Sequence, residues 1–377
     1  MHSKSPLSFR LQIRCMLAAA LLVGLTACTP PEPINLGFVG GLSGRVADLG
    51  IEGRNGALLA VEQRNKAGGI AGRQVVLLAE DDQQNPEIAR QAVGKLIERK
   101  VTAIVGPMTS AMAVATVPLI NKAQIVMVSP TTTTNDLTGL DDFFFRVLSP
   151  TRSYAVKSAN HHFQVAGMRR MAAIYDLRNQ AYTESWLQDY RAAFSAAGGS
   201  VIESISFSSG NQTHYADLAR RLLASKPDGV LLVANSVDAA LLAQQLRRIN
   251  PSVAIAASEW SATERLIELG GRAVEGITIA QFLDRQSQQP SYIAFQKVYL
   301  ERFGKEPGFA GLTAFDATNI VMDGLASQDA SKTLKQTLLA RKTFAGAQSP
   351  VVFDSYGDAS RETFMTTIEN GMFVVLR

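Results

Sequence analysis

Cysteine is almost absent from this chain: there are two in 377 residues, Cys15 and Cys28. From residue 29 onward neither a disulfide nor thiol chemistry is available. Histidine is nearly as scarce. None of His161, His162 or His214 sits in HExxH or beside a cysteine, which argues against a zinc site. His161-His162 reads as a helical pair facing water. The glycine-rich stretch Gly40-Gly41-Leu42-Ser43-Gly44 runs into Arg45-Val46 rather than the Gly-Lys-Ser/Thr of a P-loop, and the glycine spacing of a dinucleotide fingerprint is missing. No GxSxG elbow marks a nucleophile. There is no short-period repeat and no low-complexity segment. An enzyme would have to work without any of these motifs, and no cofactor, metal or catalytic residue is assigned.

The N-terminus carries Lys4, Arg10 and Arg14, then the apolar run Met16 to Val23, then Leu25-Thr26-Ala27-Cys28. This is the three-part layout of an export signal, and the run is too short for a permanent span of about 20 residues. LTAC resembles a bacterial lipobox, so residues 1–27 are expected to be a signal peptide and Cys28 the lipidated first residue of the mature chain. Residues 28–33, with Thr29-Pro30-Pro31-Glu32-Pro33, then form an extended tether. Cleavage removes three of the 37 basic residues and none of the 33 acidic ones, leaving 34 against 33. That balance removes any case for nucleic acid.

At this length two domains of about 150 residues each are expected. From Ile34 apolar strands alternate with amphipathic helical stretches, the pattern of a parallel sheet covered by helices on both faces. Expected strands are Ile34–Val39, Val75–Ala79, Ala103–Val105 and Ile125–Val128. Gly53–Asn65 has helical spacing, and Asn85-Pro86-Glu87 supplies an N-cap, a first-turn proline and an acid at the positive helix end. Pro118 requires the helix after Ser110 to kink or start late. The pattern resets across Phe144–Pro150 and a second set of strands follows at Met171–Tyr175, Ser200–Phe207, Gly229–Val233 and Val253–Ala256. Helices lie between them, and Ser291–Arg302 and Ala314–Ser327 are helical. The fold class is α/β, as two doubly wound parallel-sheet lobes with more than one crossing.

In open parallel sheets ligands bind beyond the carboxyl ends of the strands. Those ends carry Met108-Thr109-Ser110, the run SPTTTTNDL, Asp176 with Tyr182 beyond it, Asn235-Ser236, and Ser258-Glu259-Trp260. Ser110 and the threonines suit a carboxylate, alongside backbone N–H groups of the following turns. Ionised Glu259 suits an ammonium. Together they describe an α-amino acid. Other roles compete at this stage: Ser110 as a helix cap, Glu259 as a solvated loop acid, Trp260 as lobe core.

Several stretches resemble the branched-chain amino-acid-binding family of periplasmic solute-binding proteins, the external receptors of ABC importers. They are NLGFVGGLSGRVADLGIEGRNGALLAVEQRNKAGGIAGRQVVLLAEDDQQNPEIA, IVGPMTS, IVMVSPTTTTNDLT, FFFRVLSPT, NQAYTES and TAFDATNI, across nearly the whole mature chain. The resemblance implies the type I periplasmic-binding-protein fold, hinged by three crossings, with lobe 1 as 34–149 plus 278–350 and lobe 2 as 150–277 plus 351–377. It implies Ser110 on the ligand carboxylate, Thr131 through its backbone, Thr133 through hydroxyl and backbone, Tyr182 from the opposite lobe, and Glu259 on the ammonium. Two positions depart: the family's first-loop aromatic falls on Leu49, and an opposite-lobe pocket tyrosine falls on Asn235. Fewer aromatics suggest a small or polar amino acid. The implied role is delivery of that ligand to an ABC permease by a monomer held at the membrane only by its lipid, in the periplasm or at the cell surface. The alternative on the same fold is a ligand sensor or cell-envelope assembly factor.

Overall fold

The computed structural model describes residues 31–376. The expected signal peptide and Cys28 lie outside the described residues, as does the start of the tether. Strands β1 (Ile34–Gly40), β2 (Val75–Asp81), β3 (Ala103–Val105), β4 (Met127–Ser129) and β5 (Phe144–Arg146) form an all-parallel sheet in the order β2-β1-β3-β4-β5. Leu36, Phe38 and Val105 are fully buried in it, each contributing roughly 1.5–3 kcal/mol. The second sheet contains β6 (Arg170–Asp176), β7 (Ser200–Phe207), β8 (Gly229–Val233), β9 (Ala254–Ala257) and β10 (Thr278–Gln281), all parallel. After the small pair β11 (Thr343–Phe344) and β12 (Val351–Val352), strands β13 (Phe364–Glu369) and β14 (Met372–Val375) extend the second sheet antiparallel. Its order is β14-β13-β10-β9-β8-β6-β7.

The expected α/β architecture of two doubly wound lobes is therefore present, with local corrections. The segment read only as a reset contains β5, which completes the first sheet. The expected lobe boundary before 278 assigns all of β10 to the first lobe, but Thr278 and Ile279 pair with β9 and with β13, so the chain leaves the second lobe after Gln281. It then returns to the first, where helix α10 (Phe309–Ala326) packs on helix α1 (Ala47–Lys66) so closely that a Cβ at Gly56 would collide with the Gly311 carbonyl. Between these two in chain order lie α2 (Pro86–Glu98), α3 (Ser110–Ala123), α4 (Thr151–Asn160), α5 (Gln180–Ala196), α6 (Tyr215–Ala224), α7 (Ser236–Ile249), α8 (Glu264–Gly270) and α9 (Pro290–Phe303).

Local signals read from sequence act as expected in places. The Asn85 side chain accepts the N–H groups of Glu87 and Ile88 and caps α2. α3 runs through Pro118 from Ser110 without interruption; the carbonyl that loses its partner belongs to Val114, whose residue is 38% exposed and so within reach of water. His162, expected to face water, is buried instead in the π-turn His161–Val165. Tyr190 Oη and Thr278 Oγ1 lie 2.9 and 3.1 Å from its two ring nitrogens, and burial pushes its pKa down to about 3.

The crossings are tied to one another. Arg361 donates its backbone N–H to Ser149 Oγ at 2.8 Å and its guanidinium to Asp316 of α10 at 2.6 Å. Arg146 pairs with Asp358 at 2.7 Å.

Candidate functional site

The strands of both sheets point their carboxyl ends at the seam between the lobes, and the polar residues gather there. On the first lobe, Ser110 opens α3 with Thr109 as N-cap residue. Its Oγ accepts the N–H groups of Thr133 and Thr134, each at 3.3 Å, so its own proton is free to donate. The threonine run is bound to the loop after β3: Thr131 Oγ1 donates to the Met108 carbonyl at 2.5 Å and Ser129 Oγ to the Pro107 carbonyl at 2.7 Å. Thr134 Oγ1 crosses the seam to the Ala181 carbonyl at 2.7 Å.

On the second lobe, β6 ends at Asp176, whose Oδ1 accepts the N–H groups of Arg178 and Ser209 while its buried Oδ2 has no partner; burial pushes its pKa up to about 6. The next turn presents Asn179 and Tyr182. Asn179 Oδ1 accepts the Ala111 N–H at 3.0 Å and so sits on the N-terminus of α3, where backbone N–H groups and the helix dipole attract negative charge. After β9 the turn Glu259–Ser261 brings in Glu259 and Trp260. Glu259 Oε2 accepts the Trp186 indole N–H at 2.8 Å. Burial, the dominant effect, pushes its pKa up to about 7.

Ser110, Thr131, Tyr182 and Glu259 line one small cavity, together with Leu49, Met108, Thr109, Leu148, Asn179, Trp260 and Phe309. Its volume is about 20 Å³. Four buried polar atoms on these lining residues have no hydrogen-bond partner: Thr109 Oγ1, Tyr182 Oη, Glu259 Oε1 and Trp260 Nε1. Each such group costs about 1–3 kcal/mol until something meets it. Clustered around one cavity, they describe a polar ligand with donors and acceptors at both ends.

Two sequence assignments come out differently. Asn235 does not line this cavity. It caps α7 by accepting the Asp238 N–H at 3.0 Å and gives its amide to Asp238 Oδ2 at 2.6 Å, so its side chain is used within its own lobe. Thr133 is buried but is not among the lining residues. Its N–H goes to Ser110 and its carbonyl accepts the Thr151 N–H at 2.7 Å, so its backbone is committed; its hydroxyl has no partner. The sequence reading passed over Asn179, Leu148 and Phe309. Asn179 stood three residues past a strand end and was within reach of the strand-end rule, whereas nothing local marks Phe309. Aromatics are not sparse here: Tyr182, Trp260 and Phe309 all meet the cavity.

A second set of contacts joins the lobes beside the cavity. Arg45 reaches from the loop after β1 to Asp238 at 3.0 Å and to the Gly210 carbonyl at 2.7 Å. Asp48 accepts from Ser236 Oγ and Thr263 Oγ1, both at 2.6 Å. Among the described residues, no helix is long and apolar enough to cross a membrane and no cluster of His, Cys, Asp and Glu is placed to hold a metal.

The family model for periplasmic binding proteins matches residues 33–372. The Leu/Ile/Val-binding protein BraC3 of Rhizobium johnstonii is 26% identical over 352 residues, covering 92% of this chain and 94% of the relative. The Leu/Ile/Val-binding protein of Escherichia coli K12 is 20% identical over 346 residues, covering 92% and 93%. The branched-chain amino acid transporter substrate-binding protein LivJ of Streptococcus pneumoniae, solved with isoleucine, superposes with a TM-score of 0.84 at 22% identity over 91% of this chain and 99% of that one. A solute-binding protein of an ABC transporter from R. palustris, solved with benzoate, gives 0.83 at 18% identity over 91% and 95%.

Proposed function

The chain belongs to the periplasmic binding protein family, a family of solute-binding proteins and not of enzymes, and we propose that it captures an α-amino acid between its two lobes for delivery to an ABC permease. The observation that carries this reading is the disposition of the cavity's two ends. The N-terminus of α3, Ser110 and Thr131 lie on one lobe, and the free Oε1 of buried Glu259 lies on the other. The first end suits a carboxylate through backbone N–H and hydroxyl donors. The second suits an ammonium, through a charge-assisted hydrogen bond worth about 1.5–3 kcal/mol.

The binding order follows from this disposition. A ligand carboxylate meets Ser110 and the N-terminus of α3 first, replacing the Asn179 side chain that accepts the Ala111 N–H. Closure then adds Tyr182 and Glu259, and the ligand stabilises the closed state by those extra contacts. A permease reads the closed pair of lobes. An amino acid of about nine heavy atoms has a ceiling near −13 kcal/mol by ligand efficiency, so micromolar affinity near −8 kcal/mol is well within reach. Calorimetric titration of the purified mature protein with α-amino acids, their amides and plain carboxylates including benzoate tests the reading. Heat from α-amino acids alone supports it; heat only from carboxylates removes the ammonium role of Glu259 and with it the proposal.

The proposal extends to the N-terminus. LTAC supports cleavage after Ala27, lipidation of Cys28 and a monomeric receptor tethered to a membrane. Cys28→Ser is expected to move the protein from the membrane fraction to the soluble extracytoplasmic fraction, and unchanged partitioning removes the anchor.

A further inference from the structure

We propose that closure of the two lobes takes up one proton, held on Glu52 against Glu264, so that raising the pH opens the protein. The proposal rests on the closing motion inferred above and on no particular ligand.

Glu52 belongs to the first lobe and Glu264 to the second. Glu52 lies on α1 with its carboxyl against the start of α10, where it accepts the Gly308 N–H. Glu264 opens α8, and Arg285 holds its Oε1 at 2.9 Å. Arg285 is itself bound to the second lobe: it donates to the Ala262 carbonyl at 2.9 Å and to Gln281 Oε1 at 3.0 Å, and its guanidinium lies 4.0 Å over the Phe373 ring. The other oxygen of Glu264, Oε2, shares a space with the Glu52 carboxyl, since a methyl group placed on Gly308 would collide with it and with Glu52 Oε1. Two carboxylates so placed repel each other, and one proton between them removes the repulsion.

The surroundings decide which acid carries it. The Glu264 side chain is 39% exposed and has Arg285, so its charge is both solvated and paired. Glu52 is 5% exposed. Its neighbours offer little to a buried charge: Arg54, two residues on in α1, gives its guanidinium to Asn55 Oδ1 at 3.2 Å, and Tyr299 of α9 donates to the Glu52 backbone carbonyl at 3.4 Å. The Gly308 and Gly311 amides of α10 and, more weakly, Arg285 favour the anion, but burial and the Glu264 charge outweigh them and hold the Glu52 carboxyl well above the ordinary carboxylate range. Opening carries Glu264 and Arg285 away with the second lobe and admits water to the seam, so Glu52 becomes an ordinary exposed acid and gives its proton to solvent. The state that holds the extra proton gains as pH falls. Closure is therefore favoured at low pH and weakens as pH rises through neutrality, and each opening at neutral pH sets one proton free.

The test is small-angle scattering of the mature protein without ligand from pH 6 to 9 at constant ionic strength, repeated with Glu52→Gln and Glu264→Gln. The wild type is expected to be closed at pH 6 and progressively more open from pH 7 to 9, the ratio of closed to open molecules falling at least tenfold. Glu52→Gln, which keeps an acceptor for the Gly308 N–H but has nothing to titrate, should stay closed across the range. A wild-type profile that does not change with pH overturns the proposal and leaves the amino-acid reading to its own titration. A Glu52→Gln profile with the wild-type slope also overturns it, by placing the proton elsewhere. Should Glu52→Gln fail to fold, the more exposed Glu264 decides: Glu264→Gln removes the repulsion and should weaken the slope, and an undiminished slope overturns the pairing.

Discussion

Glu52 of α1 and Glu264 of α8 come from different lobes and converge on the same side of Gly308, where a single added methyl would collide with an oxygen of each. Glu52 also accepts the Gly308 N–H. Arg285 holds Glu264 at 2.9 Å, and its charge reaches Glu52 only as a smaller, opposing effect. Tyr299 lies near both acids and Tyr292 near Glu264. Burial first, and the Glu264 charge second, push Glu52 from 4.5 up to about 8. At neutral pH it is therefore a neutral acid on the seam between the lobes.

The sign of the pH dependence follows. Between pH 4.5 and about 8 folded Glu52 holds a proton that the unfolded chain has lost, so stability falls as pH rises through that window and levels off above it. Asp82, Asp176 and Glu259, raised in the same direction, add to the slope at lower pH. Glu52→Gln isolates the part due to Glu52. Thermal or urea unfolding between pH 5 and 9 should show the variant losing at least ~1.4 kcal/mol less than the wild type, the worth of a single pKa unit. Parallel curves would mean that Glu52 is already ionised at neutral pH.

Glu259 gives a dependence of opposite sign, in binding rather than folding. Its pKa in the unliganded site is about 7, and only the ionised form can meet an ammonium. Affinity for an α-amino acid should fall as pH drops below 7, approaching tenfold per unit. Glu259→Gln should bind at least tenfold more weakly at pH 7.5, from loss of a contact of about 1.5–3 kcal/mol, and its affinity should be flat from pH 5 to 7.5. A wild type with the same flat profile removes the carboxylate from ammonium recognition.

Arg45 and Asp48 join the lobes without lining the cavity. Arg45→Ala leaves Asp238 with the Tyr215 hydroxyl, the Asn235 amide and its own cap bond, so the second lobe should stay folded while closure loses its guanidinium. Ligand affinity should fall about tenfold through the closed population alone. Small-angle scattering should show a more open unliganded protein with unchanged secondary structure by circular dichroism. An unchanged scattering profile would mean that closure does not depend on this pair.

Much of the molecule was legible from local patterns. Apolar runs placed the strands to within a few residues, Asn85 capped its helix, and the rule that ligands lie beyond strand ends nominated Ser110, Tyr182 and Glu259, which do meet. The same rule nominated Asn235, whose side chain is bonded within its own helix turn in this structure: a strand-end amide can serve a ligand or its own helix, and Asp238 three residues on takes it here. For Thr133 the backbone is claimed by Ser110 and by Thr151, while its hydroxyl keeps no partner.

What the linear order of residues determined by itself is the part that depends on short windows: alternation of strand and helix, caps, turns, and the kinds of polar group at each strand end. The rest joins residues far apart in the chain. Trp186 meets Glu259 across 73 positions, Asn179 reaches Ala111 across 68, and Arg45 reaches Asp238 across 193. His162 turns inward, where Tyr190 and Thr278 meet its two nitrogens, and Trp260 belongs to the core and also meets the cavity, with Tyr182 packed on it from another helix. Trp186 with Glu259 and His162 with Tyr190 and Thr278 pair when distant elements of the second lobe fold together, whereas Asn179 with Ala111 and Arg45 with Asp238 pair only when the two lobes meet at their strand ends. That packing is set by total burial and by satisfaction of buried polar groups, and no local propensity encodes it.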